Sequence, residues 1–278
     1  MQYFNGVNEN RSKLGISSLI EVCPLCRYPI QSGFSDPGRV LDLLEEYVRF
    51  LKHGKYPLDL FINTVISSAI PEDETARLQS RINKFAKGAR AELRPLSTAD
   101  GIIKDTDTAR EKCSDLFCKV FGVEKVHFDI PEPIDYREER DIVCVVVDRD
   151  AETRESSKCT DFFARCRNDG FEPYMTNPCF EMWLLLHFDE IFDDDKDVLR
   201  LNEKTDGIRY TEKRLDEILR SYPANTGYSK DALDFNSFMH RVDNAVKNEK
   251  MFCHDLKCIK TEVGSNIGSL IEKIRQRD

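Results

Sequence analysis

A run of six apolar residues, Ile142 to Val147, is the feature that most constrains the fold. The run is continuous and mostly β-branched, which is typical of a parallel strand covered by helices on both faces. Two acids that stand one residue apart, Asp148 and Asp150, follow it directly. The sequence therefore predicts a central strand of an α/β sheet, with a pair of carboxylates at the edge where that strand ends.

The segments after this run predict a helix, a second strand and another helix. Residues 155–168 carry apolar side chains at helical spacing, and Gly170 is placed to end that helix. Residues 172–176 predict a short strand. In the NPCFEMWLLLHF string that follows, Asn177 is predicted to cap a helix and Pro178 to occupy its first position.

The rest of the chain reads as mainly helical. The apolar spacing predicts further helices over residues 38–53, 58–69, 72–88, 109–121, 210–220, 237–250 and 265–275, and a strand over residues 125–130. We therefore predict an α/β fold: a Rossmann-type, mostly parallel sheet with helices on both faces. A mainly helical N-terminal region is predicted over residues 1–92, and an α/β domain with helical C-terminal additions over residues 93–278.

Composition limits the classes of function. The 278 residues carry a net charge of -9, so no overall field draws the protein to nucleic acid or to an anionic membrane. The N-terminus lacks an apolar signal core, and the longest apolar run is far shorter than the ~20 residues needed to cross a bilayer. A cytoplasmic protein is predicted. Its ten cysteines scatter through apolar segments, so most are expected to be buried thiols.

The two acids after the first strand have two interpretations. Carboxylates this close together repel each other unless a cation offsets their charge, and a hard cation such as Mg²⁺ or Mn²⁺ accepts such oxygen ligands. Ligands of open α/β sheets also bind at the carboxyl ends of strands. The alternative is structural: Asp148 caps the following turn and Asp150 is solvated, since Asp is common after strands.

The second strand also ends on polar residues. Asn177 and Glu181 are four residues apart, so the predicted helix places them on one face near its positive end. Glu181 would then lie within reach of Asp148 and Asp150; alternatively, it is an acid that the helix dipole favours in a first turn. His187, between two apolar residues, is expected to be a core histidine with its hydrogen bonds satisfied.

These strings together resemble a known family. VVVDRD, followed by TNPCFEMWLLLHF and by Tyr228-Ser229-Lys230, resembles the RloB-like family of phage-defence proteins, which is related to the AbiLii abortive-infection proteins. The resemblance covers roughly residues 95–278. It implies a core similar to the Toprim fold, the metal-dependent phosphotransfer domain of topoisomerases, primases and OLD-type nucleases. It also implies a partner, an AAA-type ATPase.

The resemblance implies roles for particular residues. Asp148 and Asp150 would hold Mg²⁺, with Asn177 and Glu181 in the same site. Family members begin with a C-E-G-x-x-T-E segment, which this sequence lacks; the nearest counterpart of its first-strand acid is Asp100.

The chemistry implied is phosphodiester cleavage. The metal would neutralise the scissile phosphate, Glu181 or Asp100 would act as general base, and Lys230 would stabilise the developing charge. Lys230 also has a structural interpretation, as a solvated residue after a turn. The predicted function is a metal-dependent nuclease acting on RNA (tRNA is one candidate) or DNA in anti-phage defence.

Two other functions compete with the nuclease. A haloacid-dehalogenase-like phosphatase also carries D-x-D after an apolar strand, but it has Thr two positions after the second Asp, where this chain has Glu152. The other is a catalytically degenerate Toprim-like module that binds or regulates a partner ATPase. The absence of the first-strand acid favours that module.

Two further patterns concern ligands. Arg77, Arg81 and Lys84 form one stripe of the predicted helix 72–88, which is either a nucleic-acid-binding patch or a solvated face.

Cys23 and Cys26 form a C-P-x-C turn that is typical of half a Zn²⁺ site. The second half would have to come from Cys253-His254 with Cys258, or from Cys113 with Cys118.

Overall fold

The computed structural model describes residues 2–24, 37–130, 136–149, 156–222, 227–230 and 232–277. The chain forms two compact units, which we call the α/β unit (residues 1–26 and 143–278) and the helical unit (residues 27–142). The predicted division between residues 92 and 93 stays a prediction.

Helices dominate both units. In chain order they are α1 (Gln2–Glu9), α2 (Pro37–His53), α3 (Leu58–Ala69), α4 (Glu72–Leu93), α5 (Thr106–Phe121), α6 (Ser156–Asp169), α7 (Phe180–Leu185), α8 (Lys196–Leu201), α9 (Tyr210–Ser221), α10 (Asn236–Met239), α11 (Val242–Glu249) and α12 (Ile267–Arg275). The strands are β1 (Cys144–Asp148), β2 (Glu172–Asn177), β3 (Lys204–Thr205), β4 (Ile208–Arg209) and β5 (Gly264–Ser265). Among the described residues, no helix is both long and apolar enough to span a membrane.

The helical unit consists of α2 to α5, as the apolar spacing predicted. Its core contains buried aromatic rings such as Phe61, Phe85 and Phe117. Helix α5 begins at Thr106 rather than 109, because the Asp105 side chain accepts hydrogen bonds from the backbone N–H groups of the first turn. The strand predicted over residues 125–130 is wrong: its apolar side chains pack against the helical core, which satisfies the alternating pattern without a sheet.

The α/β class is confirmed, but the sheet of the described residues is small and mixed. β1 pairs in parallel with β2, in a register that sets Asp148 opposite Thr176. β5 pairs with the other side of β2 in the antiparallel direction, opposite Thr176 and Asn177. The prediction of a central first strand is therefore wrong within this sheet, where β2 is central and β1 lies at the edge.

The junction between β2 and α7 also differs from the prediction. β2 continues through Asn177, the Asn177–Pro178 peptide bond is cis, and α7 begins at Phe180 with Cys179 as its cap. Asn177 and Glu181 therefore do not share a helical face. The prediction for α6 is confirmed, including Gly170 in the left-handed conformation at its end.

Helix α7 lies within the core of the α/β unit. Its buried side chains, among them Trp183, lie in a core shared with α9, α11 and α12. His187 is part of that core, as expected. The Tyr3 hydroxyl oxygen lies 3.1 Å from its Nε2, and the carbonyl oxygen of Trp183 lies 3.1 Å from its Nδ1. Helix α12 begins at Ile267, later than predicted, because Ser265 belongs to β5 and its hydroxyl accepts the Ile267 N–H.

Candidate functional site

The carboxyl ends of β1 and β2 form the base of the candidate site. The Thr176 hydroxyl donates a hydrogen bond of 2.9 Å to Asp148 Oδ1, and Asp148 is exposed at the end of its strand. The next residue, Arg149, turns inward and is buried. Its backbone N–H donates to the Thr176 carbonyl (2.7 Å), so the chain is held against β2 just beyond Asp148. Asp150, the second acid of the pair, lies outside the described residues.

Glu181 is a buried carboxylate, 3% exposed, in the first turn of α7. The Tyr228 hydroxyl donates a hydrogen bond of 2.9 Å to its Oε1, and Lys230 Nζ lies 3.4 Å from the same oxygen. Burial favours the neutral acid, but the contacts with Cys179, Lys230 and Tyr228 outweigh it and lower the pKa of Glu181. Glu181 is therefore held in its charged form.

The Cys179 thiol lies in the electrostatic field of both Glu181 and Asp148. It is buried among polar partners: its sulfur lies 3.2 Å from the Thr211 hydroxyl, and the Asn202 side-chain amide donates to it over 3.4 Å. Burial raises the pKa of Cys179 well above its ordinary value, and the charges of Glu181 and Asp148 raise it further. The two carboxylates thus act on one thiol, which stays protonated and can donate its S–H.

Lys230 bridges two acids at the mouth of this group. Its Nζ lies 3.3 Å from Glu212 Oε1 in addition to its contact with Glu181. Burial would lower the pKa of Lys230, but the charges of Glu181 and Glu212 raise it overall. The side chain is 66% exposed, so an ammonium group is presented to solvent beside a buried carboxylate.

Asn177 faces a different neighbour. Its side-chain amide donates hydrogen bonds to two backbone carbonyls, those of Ile259 (2.6 Å) and Glu262 (2.9 Å). These contacts make it a tether between the end of β2 and a loop near the C-terminus.

The donor types at this edge suit a hard divalent cation, but the described residues do not complete a site for one. Asp148 and Glu181 supply carboxylates, and among the described ranges no group of three or more His, Cys, Asp or Glu side chains could hold a metal ion. Asp150 lies outside these ranges. Asp100, the predicted third acid, belongs to the helical unit, where it lies exposed in a turn closed by the Gly101 N–H and the Thr98 carbonyl. The magnesium site stays a prediction.

The zinc prediction is equally untested, because Cys26 lies outside the described residues, although Cys23 is exposed. Of the two pairs considered for the second half, Cys253 and Cys258 are joined to each other as a disulfide. Cys113 of the other pair is buried on α5, and burial raises the pKa of its thiol to about 12, which disfavours the thiolate that zinc requires.

The predicted basic stripe lies on α4 of the helical unit. Arg77 pairs with Glu74 at 2.7 Å, and Arg81 donates to the Phe121 carbonyl over 3.4 Å. Lys84, one turn after Arg81 on the same helix, is exposed. A role in nucleic-acid binding stays a prediction.

Sequence reasoning missed Cys179, a partner of Glu181, and the residues that contact Cys179 and Lys230. Cys179 stands two residues before Glu181, inside the NPCFE string, and that proximity could have drawn attention to it. Glu212, Thr211 and Asn202 come from elements that are distant in sequence, and no local pattern marks them.

Comparisons with known proteins agree with the resemblance of the sequence. The family model described as RloB-like protein matches residues 1–274. The comparison with curated proteins found no match, and neither did the comparison with solved structures. Since the matched range includes the N-terminal segment and the helical unit as well as the strand ends, the chain belongs to the RloB-like family.

Proposed function

We propose that this protein is a divalent-metal-dependent nuclease with a Toprim-like core, acting as an effector of anti-phage abortive-infection defence. One observation supports the proposal most: Asp148 at the end of β1 is bonded to Thr176 of β2, and the buried Glu181 follows β2 in the first turn of α7 with the Lys230 ammonium 3.4 Å away. Family membership is consistent with it. The proposed substrate is RNA, tRNA being one candidate, or DNA.

The proposed cation is Mg²⁺ or Mn²⁺, held by Asp148, Asp150 and Glu181. When bound there, it would neutralise the scissile phosphate and lower the pKa of a water molecule. The chain's own residues have separate tasks. Glu181 is ionised and is available to accept a proton, and the Tyr228 hydroxyl fixes the orientation of its carboxylate. Lys230 offers an exposed positive charge to a phosphate oxygen.

The net charge of -9 implies that substrate is held locally. We propose that Lys230 supplies this attraction at the site, and that Arg77, Arg81 and Lys84 contribute a second basic surface in the helical unit. An AAA-type ATPase is the proposed protein partner. Zinc at Cys23 and Cys26 also remains a proposal.

The decisive experiment is cleavage of labelled single- and double-stranded RNA and DNA by the purified protein with Mg²⁺ or Mn²⁺. We expect cleavage by the wild type, none with Asp148→Ala, and none after chelation of the metal. Asp161→Ala is the matched control, because Asp161 is an exposed acid on α6 outside the site. If wild type and Asp148→Ala are equally inert on every substrate, with the ATPase present as well, the nuclease proposal fails.

A catalytically degenerate module that binds or regulates the ATPase is the second candidate. One observation favours it: Glu181 Oε1 already accepts the Tyr228 hydroxyl and contacts Lys230, so an internal cation neutralises the carboxylate. Titration calorimetry with Mn²⁺ separates the two. The nuclease requires binding that Asp148→Ala weakens and Lys230→Met strengthens, whereas the module predicts no binding in any of the three proteins.

A further inference from the structure

A short loop near the C-terminus closes on itself beside the candidate site. Cys253 and Cys258 form a disulfide across the sequence CHDLKC, with Cα atoms 6.0 Å apart. The other described cysteines are free thiols: Cys113, Cys166 and Cys179 are buried, Cys118 and Cys144 are half-buried, and Cys23 is exposed. This pair is therefore chemically different from the rest of the described cysteines.

The residues that follow the disulfide hold the strand ends in place. The Lys260 carbonyl accepts a hydrogen bond of 3.0 Å from Arg149 Nε, just beyond Asp148. The carbonyls of Ile259 and Glu262 accept the two hydrogen bonds from the Asn177 amide at the end of β2. Three backbone carbonyls within residues 259–262 thus bind the ends of both strands that form the base of the site.

Cys253 is joined to the sheet as well. Its N–H donates to the Val263 carbonyl (3.2 Å), and its carbonyl accepts the Ser265 N–H (3.0 Å). Gly264 lies so close to it that any side chain at 264 would collide with the Cys253 carbonyl oxygen. Gly264 and Ser265 form β5, which pairs with Thr176 and Asn177 at the end of β2. The backbone of Cys253 is therefore hydrogen-bonded to the strand that lies next to β2.

The two cysteines of the disulfide differ in solvent exposure. Cys253 is buried, whereas Cys258 is half-buried in an exposed turn. Lys257 stands next to Cys258 in the sequence, and positive charge near the more accessible sulfur favours the approach of an anionic thiolate. Accessible disulfides in such surroundings are the ones that small thiols open in a reducing compartment.

We propose that Cys253 and Cys258 form a reversible thiol–disulfide exchange site whose oxidation state sets the order of the strand ends at Asp148 and Asn177. A dithiol reductant is the reacting class. Its thiolate attacks Cys258 Sγ, the bond to Cys253 Sγ breaks, and Cys253 leaves as a thiolate that takes a proton from water. The second thiol of the reductant then releases Cys258, so the chain gains two electrons and two protons and the reductant becomes a disulfide. Oxidised glutathione, a low-molecular-weight disulfide, reverses the reaction.

The test uses the full chain equilibrated with dithiothreitol or with oxidised glutathione, and does not depend on the proposed nuclease activity. Alkylation followed by mass spectrometry measures whether Cys253 and Cys258 are reduced. Hydrogen exchange measures the protection of the backbone amides of Cys253, Ser265 and Asn266. We expect both cysteines to become alkylated together on reduction, and these amides to exchange about tenfold faster. Amides of α3 in the helical unit serve as the internal reference and should not change.

Cys258→Ser keeps the loop open under both conditions, so its three amides should exchange at the fast rate in each. Cys118→Ser, a half-buried cysteine of α5, should behave as the wild type. Alkylation of Cys253 and Cys258 in the oxidised protein would overturn the exchange site. A disulfide whose reduction leaves the amides unchanged would overturn its link to the strand ends. Because neither readout is cleavage, failure of the nuclease proposal would leave both results interpretable.

Discussion

Two buried carboxylates of the α/β unit show opposite electrostatic behaviour. Glu181 is 3% exposed and Glu249, at the end of α11, is 2% exposed. Burial raises the pKa of Glu249 to about 7, and its contacts do not reverse this: the N–H groups of Gly268 and Ser269, the Ser265 hydroxyl, and the charge of His254. The pKa of Glu181 is lowered instead.

The difference lies in the neighbours rather than in the burial. Glu249 accepts hydrogen bonds mainly from neutral groups at the start of α12, including the Gly268 N–H at 2.8 Å, so it serves as a structural cap whose charge is not required. Glu181 has the Lys230 ammonium beside it as well as neutral donors. A carboxylate that the fold keeps charged is the better candidate for holding a cation, because a metal ion requires the ionised form.

Glu249→Gln gives the largest expected effect. A pKa raised from 4.5 to about 7 means that the folded protein holds a proton which the unfolded chain releases, so stability falls as the pH rises through this interval. The corresponding loss is about 3 kcal/mol. We expect the free energy of unfolding of the variant, relative to that of the wild type, to rise by about this amount between about pH 4.5 and pH 8. Urea unfolding measures it. Glu217→Gln, an exposed acid on α9, should show a flat difference; an equally flat difference for Glu249→Gln would contradict the assigned environment.

Lys230→Met should have the second largest effect on stability. Removing one partner of a buried pair costs about 3–5 kcal/mol, but Lys230 is largely exposed and Glu181 keeps its other donors, so we expect about 2 kcal/mol at neutral pH. Because the pKa of Glu181 is lowered in the folded protein, the stability that it contributes is present above pH 4.5 and is lost as the pH falls. The deficit of the variant should therefore shrink in acid.

Urea unfolding at two pH values measures this change, with Lys213→Met, an exposed lysine of α9, as control. A loss that is the same for both lysines, or that does not depend on pH, would mean that Lys230 is not the partner of Glu181.

Tyr228→Phe should have the smallest effect. It removes one hydrogen bond to Glu181, and since Cys179 and Lys230 remain, we expect a loss of about 1 kcal/mol. Thermal unfolding of this variant, of Lys230→Met and of the double variant forms a cycle. Additive losses would show that the hydroxyl and the ammonium act on Glu181 independently, and would weaken the view of one coupled group.

Local pattern was sufficient for part of this picture. The β-branched run located β1 and Asp148, helical spacing located α2 to α5, and the resemblance brought Glu181, Tyr228 and Lys230 together before their contacts were known. The prediction for Asn177 was wrong because Asn followed by Pro is typical of the start of a helix but also occurs at the end of a strand. Here Asn177 ends β2, and α7 begins three residues later at Phe180. The role of Glu249 had no local sign, because its environment is set by α12, packed against it from later in the chain.

The tether between the strand ends and the C-terminal loop also bears on how the protein is made. Arg149 binds a carbonyl 111 residues further along the chain, and Asn177 binds carbonyls 82 and 85 residues further along. Contacts so distant in sequence form late, since the intervening chain must first be synthesised and closed into a loop. A nascent chain that has emerged only through β2 therefore lacks the groups that order this edge. The edge of the sheet that carries Asp148 is therefore completed only after residues 259–262 have been translated and folded.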